Sequence, residues 1–403
     1  MNSLRKLYRA GFGPSSSHTI GVGIAATVFK KVYPAATAFR ATLYGSLALT
    51  GVGHGTDDVI KKTLGKVEIV FDKRTTDITH PNTFDLACSL GHARFLSTGG
   101  GDIKIEEKFC SPEILAFFSQ NHSCRKEYPH RNFADIAKYC AKNKLRLYEY
   151  VYKYECGNIQ EFLLDVWNKM KKAVASGLSK NGTLPGGLKL RRQARTVYET
   201  ADKTEHTVVS AYALAVAEEN AGNGLIVTAP TCGACGVVPA VLLYMQQQYN
   251  LSDDKVVAAL ATGGLVGNII KTNASVSGAE CGCQAEIGSA CSMAAAALCE
   301  LFDLPIPVIE AAAAIAMEHN LGLTCDPILG LVQVPCIERN AMAANKTINA
   351  MRLAKSLALP RTVSFDQVVD IMYRTGLAMH ADYKETSLGG LATLHFGNSP
   401  NMS

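Results

Sequence analysis

The sequence predicts an α+β protein in two parts, a small N-terminal α/β domain over residues 1–150 and a larger all-helical domain over residues 151–403. Three observations carry this. In the first part, short apolar runs alternate with period two, the mark of half-buried strands. Around residues 141–160 the alternation gives way to helical spacing, as in Ile159, Phe162, Leu163, Val166 and Trp167. Farther on, residues 294–298 and 311–317 are alanine-rich, which suits closely packed buried helices.

Size and composition agree. At 403 residues the chain exceeds one ordinary hydrophobic core and calls for at least two domains. Its 48% hydrophobic and 19% charged residues describe a globular chain rather than a disordered one. The net charge of +5 comes with no block of five like charges and no Lys/Arg stripe interleaved with aromatics, which argues against nucleic acid as a partner. The opening Met1-Asn-Ser-Leu-Arg-Lys6 runs at once into Gly11, Gly13 and Pro14, so no secretory signal is expected and the cytoplasm is the expected location. Residues 220–252 hold no charge, but Pro230, Pro239 and several glycines suit a buried segment better than a membrane span, and no membrane partner is expected.

Taken in order, Gly13-Pro-Ser-Ser-Ser-His-Thr19 predicts a loop leading into a helix, its hydroxyls able to cap the helix and its amides able to hold a carboxylate. A capped turn with a solvated histidine is the plainer reading of the same residues. Ala41, Leu43 and Gly45 alternate with Thr42, Tyr44 and Ser46, and Val67, Ile69 and Phe71 with Glu68, Val70 and Asp72, giving two strands. Between them residues 51–57 predict a loop whose flexible backbone presents His54 and Asp57 at a strand exit. Ile103 and Ile105 repeat the strand pattern after Gly99-Gly-Gly101, which on its own says little about phosphate. In the helical part, residues 183–187, 222–224 and 327–330 read as loops. Ser364-Phe-Asp-Gln367 reads as a capping box opening a helix with Phe365, Val368, Val369 and Met372 on one face.

The chemistry gathers among the cysteines. There are 13, an odd number that in a reducing compartment forms no disulfide framework, and eight of them fall between Cys232 and Cys336. Cys232-x-x-Cys235 and Cys281-Gly-Cys283 have spacings found in zinc or redox sites, but no second pair completes either. Cys283, Cys325 and Cys336 sit among Gly, His, Glu and Gln, and Cys325 and Cys336 lie close to Pro327 and Pro335. Thiolates in such surroundings indicate a metal or iron–sulfur site. On pattern alone, zinc, a cluster and simple core filling all stay open.

Longer matches narrow this. Gly13-Pro-Ser-Ser-Ser-His-Thr19, Tyr44-Gly-Ser-Leu47, Val227-Thr-Ala-Pro230, Gly233-Ala-Cys-Gly236, Asn273-Ala-Ser275, Ser277-Gly-Ala-Glu280, Gly282-Cys-Gln284 and Ala290-Cys-Ser-Met293 are followed by Glu318-His-Asn-Leu-Gly-Leu-Thr-Cys-Asp-Pro327, Gln333-Val-Pro-Cys-Ile-Glu-Arg-Asn340 and Lys384-Glu-Thr-Ser387. In these blocks, which span nearly the whole chain in order, the sequence resembles the iron–sulfur-dependent bacterial L-serine dehydratases (L-serine ammonia-lyases), in their single-chain form.

The resemblance implies an N-terminal domain similar to a regulatory substrate-binding domain, fused to an all-helical catalytic domain. It implies a [4Fe–4S] cluster held by Cys283, Cys325 and Cys336, with the fourth iron left for the substrate, L-serine, and with Cys232, Cys235, Cys281, Cys291 and Cys299 either structural or supporting the ligands from behind. An open iron acts as a Lewis acid on the serine hydroxyl, a positioned base takes the weakly acidic Cα proton, and aminoacrylate then decays to pyruvate and ammonium. His18, His54, Ser16 and Ser17 are the catalytic residues so implied, and Ser15, Thr19, Lys271 and Asn273 the substrate-binding ones; His319 and Asn320 stand in reserve. A homodimer is expected.

Single-chain members often carry a cysteine at the extreme C-terminus that can fold back onto the fourth iron. This sequence ends Gly397-Asn-Ser-Pro-Asn-Met-Ser403 without one, which puts a tail-occupied resting state in doubt. The stretch between Asp72 and Gly99 is short against longer members, so no regulatory serine site is carried over. Two rival readings are a pyridoxal-phosphate lyase with Lys271 as Schiff base and Gly99–Gly101 or Gly263-Gly264 on the phosphate, and a non-catalytic iron–sulfur redox sensor. Threonine and cysteine are the alternative substrates.

Overall fold

The computed structural model describes residues 1–120, 128–200, 202–357 and 361–394. The terminal run from Gly397 to Ser403 therefore lies outside the described residues.

The chain starts in the helical part. Leu4, Leu7 and Tyr8 are buried in the large helical core, and strand β1 (Ala10–Phe12) pairs antiparallel with a strand from far along the chain, Leu225–Val227. Only after Gly13 and Pro14 does the backbone cross into the sheet. Five strands form that sheet: β2 (Phe39–Tyr44), β3 (Val67–Asp72), β4 (Thr83–Cys88), β5 (Gly91–Ser97) and β6 (Ile103–Ile105), in the order β3-β2-β4-β5-β6. β2 and β3 are parallel, because helices Gly45–Thr50 and Thr56–Leu64 carry the chain back over the sheet, and the other pairings are antiparallel. Ala41 and Leu43 of β2, Phe84 and Leu86 of β4, and Ala93 and Phe95 of β5 turn to one face. There they pack on Val22, Ala26 and Phe29 of helix Gly21–Val32 and on Ile60 and Leu64.

The predicted strands at 41–46, 67–72 and 103–105 are present, with the first ending at Tyr44 because Gly45 takes φ +51 and opens a helix. The expected loop at 51–57 is a correction. Residues 51–55 are a turn between two helices, not a strand exit, and His54 is buried there. Asp57 stands in the first turn of the next helix, paired with Lys61 on the surface at 2.7 Å.

The helical part is built around Asp253–Asn273 and Ser289–Leu301, whose axes come close because Gly263 faces the Met293 carbonyl with no room for a Cβ. Alanines 294–297 and 311–314 are fully or almost fully buried at the neighbouring contacts. The capping box at Ser364 is formed, with Gln367 N–H donating to Ser364 Oγ at 3.2 Å and Ser364 N–H to Gln367 Oε1 at 2.9 Å. Tyr128, Phe133, Ile136, Tyr150 and Val151 pack into this core as well. No helix among the described residues is long and apolar enough to cross a membrane.

A clamp joins the two parts. Asp102, at the end of the Gly99–Gly101 turn, pairs with Lys271 at 2.7 Å and with Arg9. Burial pushes Asp102 up, but Lys271 and Arg9 outweigh it and hold the carboxyl below its usual range.

Candidate functional site

Three short segments of the helical part deliver thiols to one small cavity. Cys283 follows Gly282, whose φ of +74 turns the chain out of the short helix Gly278–Cys281. Its position is fixed next door by Gln284, which accepts from the Gly322 N–H at 2.9 Å and donates to the Met372 carbonyl at 3.0 Å. Cys325 is held by backbone bonds to the C-terminal segment, its N–H donating to Tyr383 O at 2.7 Å and its carbonyl accepting from the Glu385 N–H at 2.6 Å. Cys336 opens helix Cys336–Ser356. Asn340 in the first turns of that helix bonds the Gly233 carbonyl at 2.7 Å and the Gly236 N–H at 2.9 Å, locking the Cys232–Cys235 loop alongside. All three thiols are buried and line the cavity with Pro14, Ser15, His54, Glu286, Arg339 and Glu385.

The opposite wall comes from the sheet part. Ser15 caps a π-helical turn, Ser16–Ile20, by accepting from the His18 N–H, an irregularity of the sort found at functional sites. Thr19 Oγ donates back to the Ser15 carbonyl, and Ser15 N–H donates to Thr19 Oγ at 3.2 Å. His18 is fully buried, so it is not the solvated histidine of the plainer reading. Its Nδ1 lies 3.0 Å from Ser17 Oγ and its Nε2 3.0 Å from Thr50 Oγ. His54 stacks on it with ring centroids 4.2 Å apart. The Thr50 carbonyl lies 3.0 Å from His54 Nδ1 and can only accept, so Nδ1 faces it as a donor, and Nε2 turns to Glu385 Oε1 at 3.4 Å. Ser16 is buried at the head of the turn, its carbonyl accepting from the Gly21 N–H.

Charges in this cavity are divided sharply. Burial pushes the His18 imidazole down to about 4, against the pull of the Glu385 charge. A hydrogen bond from the Cys325 thiol, outweighing burial and helped by Arg339, brings Cys283 down to about 7. The proton shared with Cys283, then burial, raises Cys325, and burial raises Cys336. Two carboxylates part ways. Burial and then the nearby Cys283 push Glu286 well up, whereas for Glu385 the burial effect is outweighed by His18, His54 and the Ala279 amide, which hold it down. Cys283, Glu286 and Cys325 bring ligand atoms within 4.8 Å of one another, a group able to hold a metal ion, and His18, His54 and Glu385 form a second such group.

Of the residues singled out from the sequence, Cys283, Cys325, Cys336, His54 and Ser15 meet at the cavity, with His18, Ser17, Ser16 and Thr19 directly behind. Lys271 and Asn273 do not line it. Lys271 is engaged by Asp102, and Asn273 donates to the Arg131 carbonyl at 2.7 Å. His319 lies largely exposed beside Glu318, and Asn320 donates to the Ala316 carbonyl at 2.6 Å. Three residues went unread: Glu286, Arg339 and Glu385. The signal for two of them was spacing, since Glu286 and Arg339 each stand three residues after a cavity cysteine and so share its side of a helical turn.

Comparison with known proteins follows the same division. The family model described as Serine dehydratase alpha chain matches residues 113–392, and the one described as Serine dehydratase beta chain matches residues 3–66. The chain belongs to the serine dehydratase family. The alpha-chain match holds all three cavity cysteines and Glu385, and the beta-chain match holds His18 and His54, so each half of the family pattern supplies one wall. An L-serine dehydratase of Haemophilus influenzae is 37% identical over 456 aligned positions, covering 97% of this chain and 99% of the relative. L-serine dehydratase 2 of Escherichia coli (strain K12) is 36% identical, covering 97% of this chain and 98% of its own. The L-serine dehydratase of Helicobacter pylori is also 36% identical, with the same two coverages.

Proposed function

We propose that this chain is an L-serine dehydratase, a lyase that converts L-serine to pyruvate and ammonia with a [4Fe–4S] cluster held by Cys283, Cys325 and Cys336. The observation that carries the reading is the meeting of three buried thiols with His54 across one small cavity, in a chain whose near relatives bear that name. The donor set fits the cluster, being three soft sulfur ligands with the Arg339 guanidinium held strongly basic beside all three sulfurs. When bound, the cluster supplies an electrophile for the departing hydroxyl.

The protein's own groups account for the rest. Arg339, anchored to the Thr324 carbonyl at 2.6 Å, and the Ser15 hydroxyl face the cavity and suit a carboxylate. His54 is the better-placed base, because it lines the cavity with Nδ1 held at the Thr50 carbonyl and with Nε2 beside the Glu385 carboxylate, which would stabilise the imidazolium formed when the ring takes the Cα proton. His18, whose nitrogens are both engaged by hydroxyls, holds the His54 ring by stacking. Loss of the Cα proton and of hydroxide leaves aminoacrylate, which tautomerises to an imine and takes up water to give pyruvate and ammonium.

The pyridoxal-phosphate alternative is less well served, since Lys271 is buried in the interdomain ion pair and away from the cavity. A homodimer in the cytoplasm belongs to the same reading, the former open to light scattering. The deciding experiment is anaerobic purification with iron and sulfide analysis and a pyruvate assay on L-serine, D-serine, L-threonine and L-cysteine. About four irons per chain, by the cluster stoichiometry, and pyruvate chiefly from L-serine are expected. An iron-free protein that still forms pyruvate would sink the cluster, and no pyruvate from loaded protein would sink the activity.

A further inference from the structure

We propose that Glu385 receives the ammonium group of the substrate and thereby sets the preference of this site for α-amino acids over hydroxy acids that lack the amine. This rests on the L-serine reading. The segment bearing Glu385 is fastened beside the thiol wall by the paired bonds to Cys325 and to the sheet part by Ser46 Oγ, which donates to the Glu385 carbonyl at 2.7 Å. Glu385 has φ +59, a left-handed conformation that a non-glycine residue adopts at a cost. That backbone sends the side chain into the cavity, where it lies between the two walls with only 6% of the residue exposed.

The two carboxylate oxygens differ. Oε1 is 3.4 Å from His54 Nε2 and 3.7 Å from His18 Nδ1. Oε2 is buried and meets no donor at good hydrogen-bonding geometry among the described residues, although the Ala279 amide lies near the carboxylate and steadies its charge. A buried carboxylate oxygen without a donor is unfavourable, and such a vacancy in a binding cavity points to a donor brought by the ligand. L-serine offers three polar groups: a carboxylate, a hydroxyl and an ammonium. Arg339 matches the carboxylate in charge. Among the carboxylates on the cavity, Glu286 is taken up beside Cys283 Sγ at 3.8 Å and packs against Gly233 and Gly278. Glu385 is left as the anion with a free oxygen, and a primary ammonium, with three donors, can satisfy it.

The test compares L-serine with 3-hydroxypropanoate, which keeps the carboxylate and hydroxyl and lacks the amine. On the full chain with its iron, the unmodified protein should bind L-serine at least tenfold more tightly than 3-hydroxypropanoate. Glu385→Gln should raise KM for L-serine at least tenfold with a smaller change in kcat, while the inhibition constant of 3-hydroxypropanoate moves less than threefold and iron content stays the same. Glu385→Asp should keep part of the preference. Equal weakening of both ligands, or loss of iron from Glu385→Gln, would assign the residue a structural role and overturn the proposal. So would a wild-type protein that binds the two ligands within threefold of each other, a measurement that needs no variant to fold. Failure of the wild type to form pyruvate from L-serine would instead strike the reading beneath it.

Discussion

The helical wall of the cavity carries its thiols on backbone pinned by side-chain amides, those of Gln284 and Asn340, whereas the sheet wall carries its imidazoles among hydroxyls, those of Ser15, Ser17, Ser46 and Thr50. The difference matters chemically. An amide has a fixed donor end and a fixed acceptor end, so it holds one geometry. A hydroxyl can turn and exchange donor for acceptor, so it can follow a ring through a change of protonation. One wall is suited to holding a group in place, the other to moving a proton.

The most severe way to break this contrast is to remove a thiol. Cys325→Ala should lose iron and bring pyruvate formation below detection, read by iron analysis and the pyruvate assay. A variant that kept both would show that the helical wall does not hold the cluster. Next come the rings, which the contrast predicts to be unequal. His54→Asn should lower kcat by about 10²–10⁴-fold, the usual scale for a positioned base, while His18→Asn, acting through His54, should cost about 10²-fold or less. Equal losses would erase the distinction between a base and its support.

Acid offers a third probe. The folded His18 ring titrates at about 4 against an ordinary value of 6.5, so between those values the unfolded chain takes up a proton that the fold refuses. Stability should therefore fall as pH falls through that window, by about 3 kcal/mol in total, with no effect above it. Urea titrations at successive pH values should show a flatter slope for His18→Asn. The clamp between the parts gives a comparable or smaller effect. Asp102→Ala strands two largely buried cations, Lys271 and Arg9, and should cost about 2–3 kcal/mol in denaturant midpoint terms, with loss of activity because the two walls are held together at that point. The mildest change is Ser17→Ala, which removes a hydroxyl from His18 Nδ1. About 1 kcal/mol is expected, measured by thermal unfolding.

Much of this arrangement was legible beforehand. The cysteines and the Ser-rich turn stand out because thiols and clustered hydroxyls are uncommon choices for ordinary surface or core. Glu385 lies in the matched block Lys384–Ser387 but was given no role, since a glutamate between Lys384 and Thr386 reads as solvated until the tertiary fold seals it at 6% exposure. Lys271 misled in the opposite sense, because a lysine at the end of an apolar helix invites a chemical role when its partner, Asp102, is 169 positions away in sequence (271 − 102). The strand pair β4 and β5 also went unread. Asp85 and Arg94 face each other across it at 2.7 Å, and these charges on the open face mask the apolar alternation that buries Phe84, Leu86, Ala93 and Phe95.

The crossing at Gly13 and Pro14 has one further consequence. With Leu4, Leu7, Tyr8 and β1 seated in the helical core, the sheet is an insertion in the helical fold, tethered on both flanks instead of trailing from one. Supplied as two pieces, residues 1–120 and 128–403, the front fragment would still grip the rear one by a donated strand and by the buried Leu4, Leu7 and Tyr8. Produced together, the two pieces are thus expected to assemble and to co-purify without a peptide bond between them.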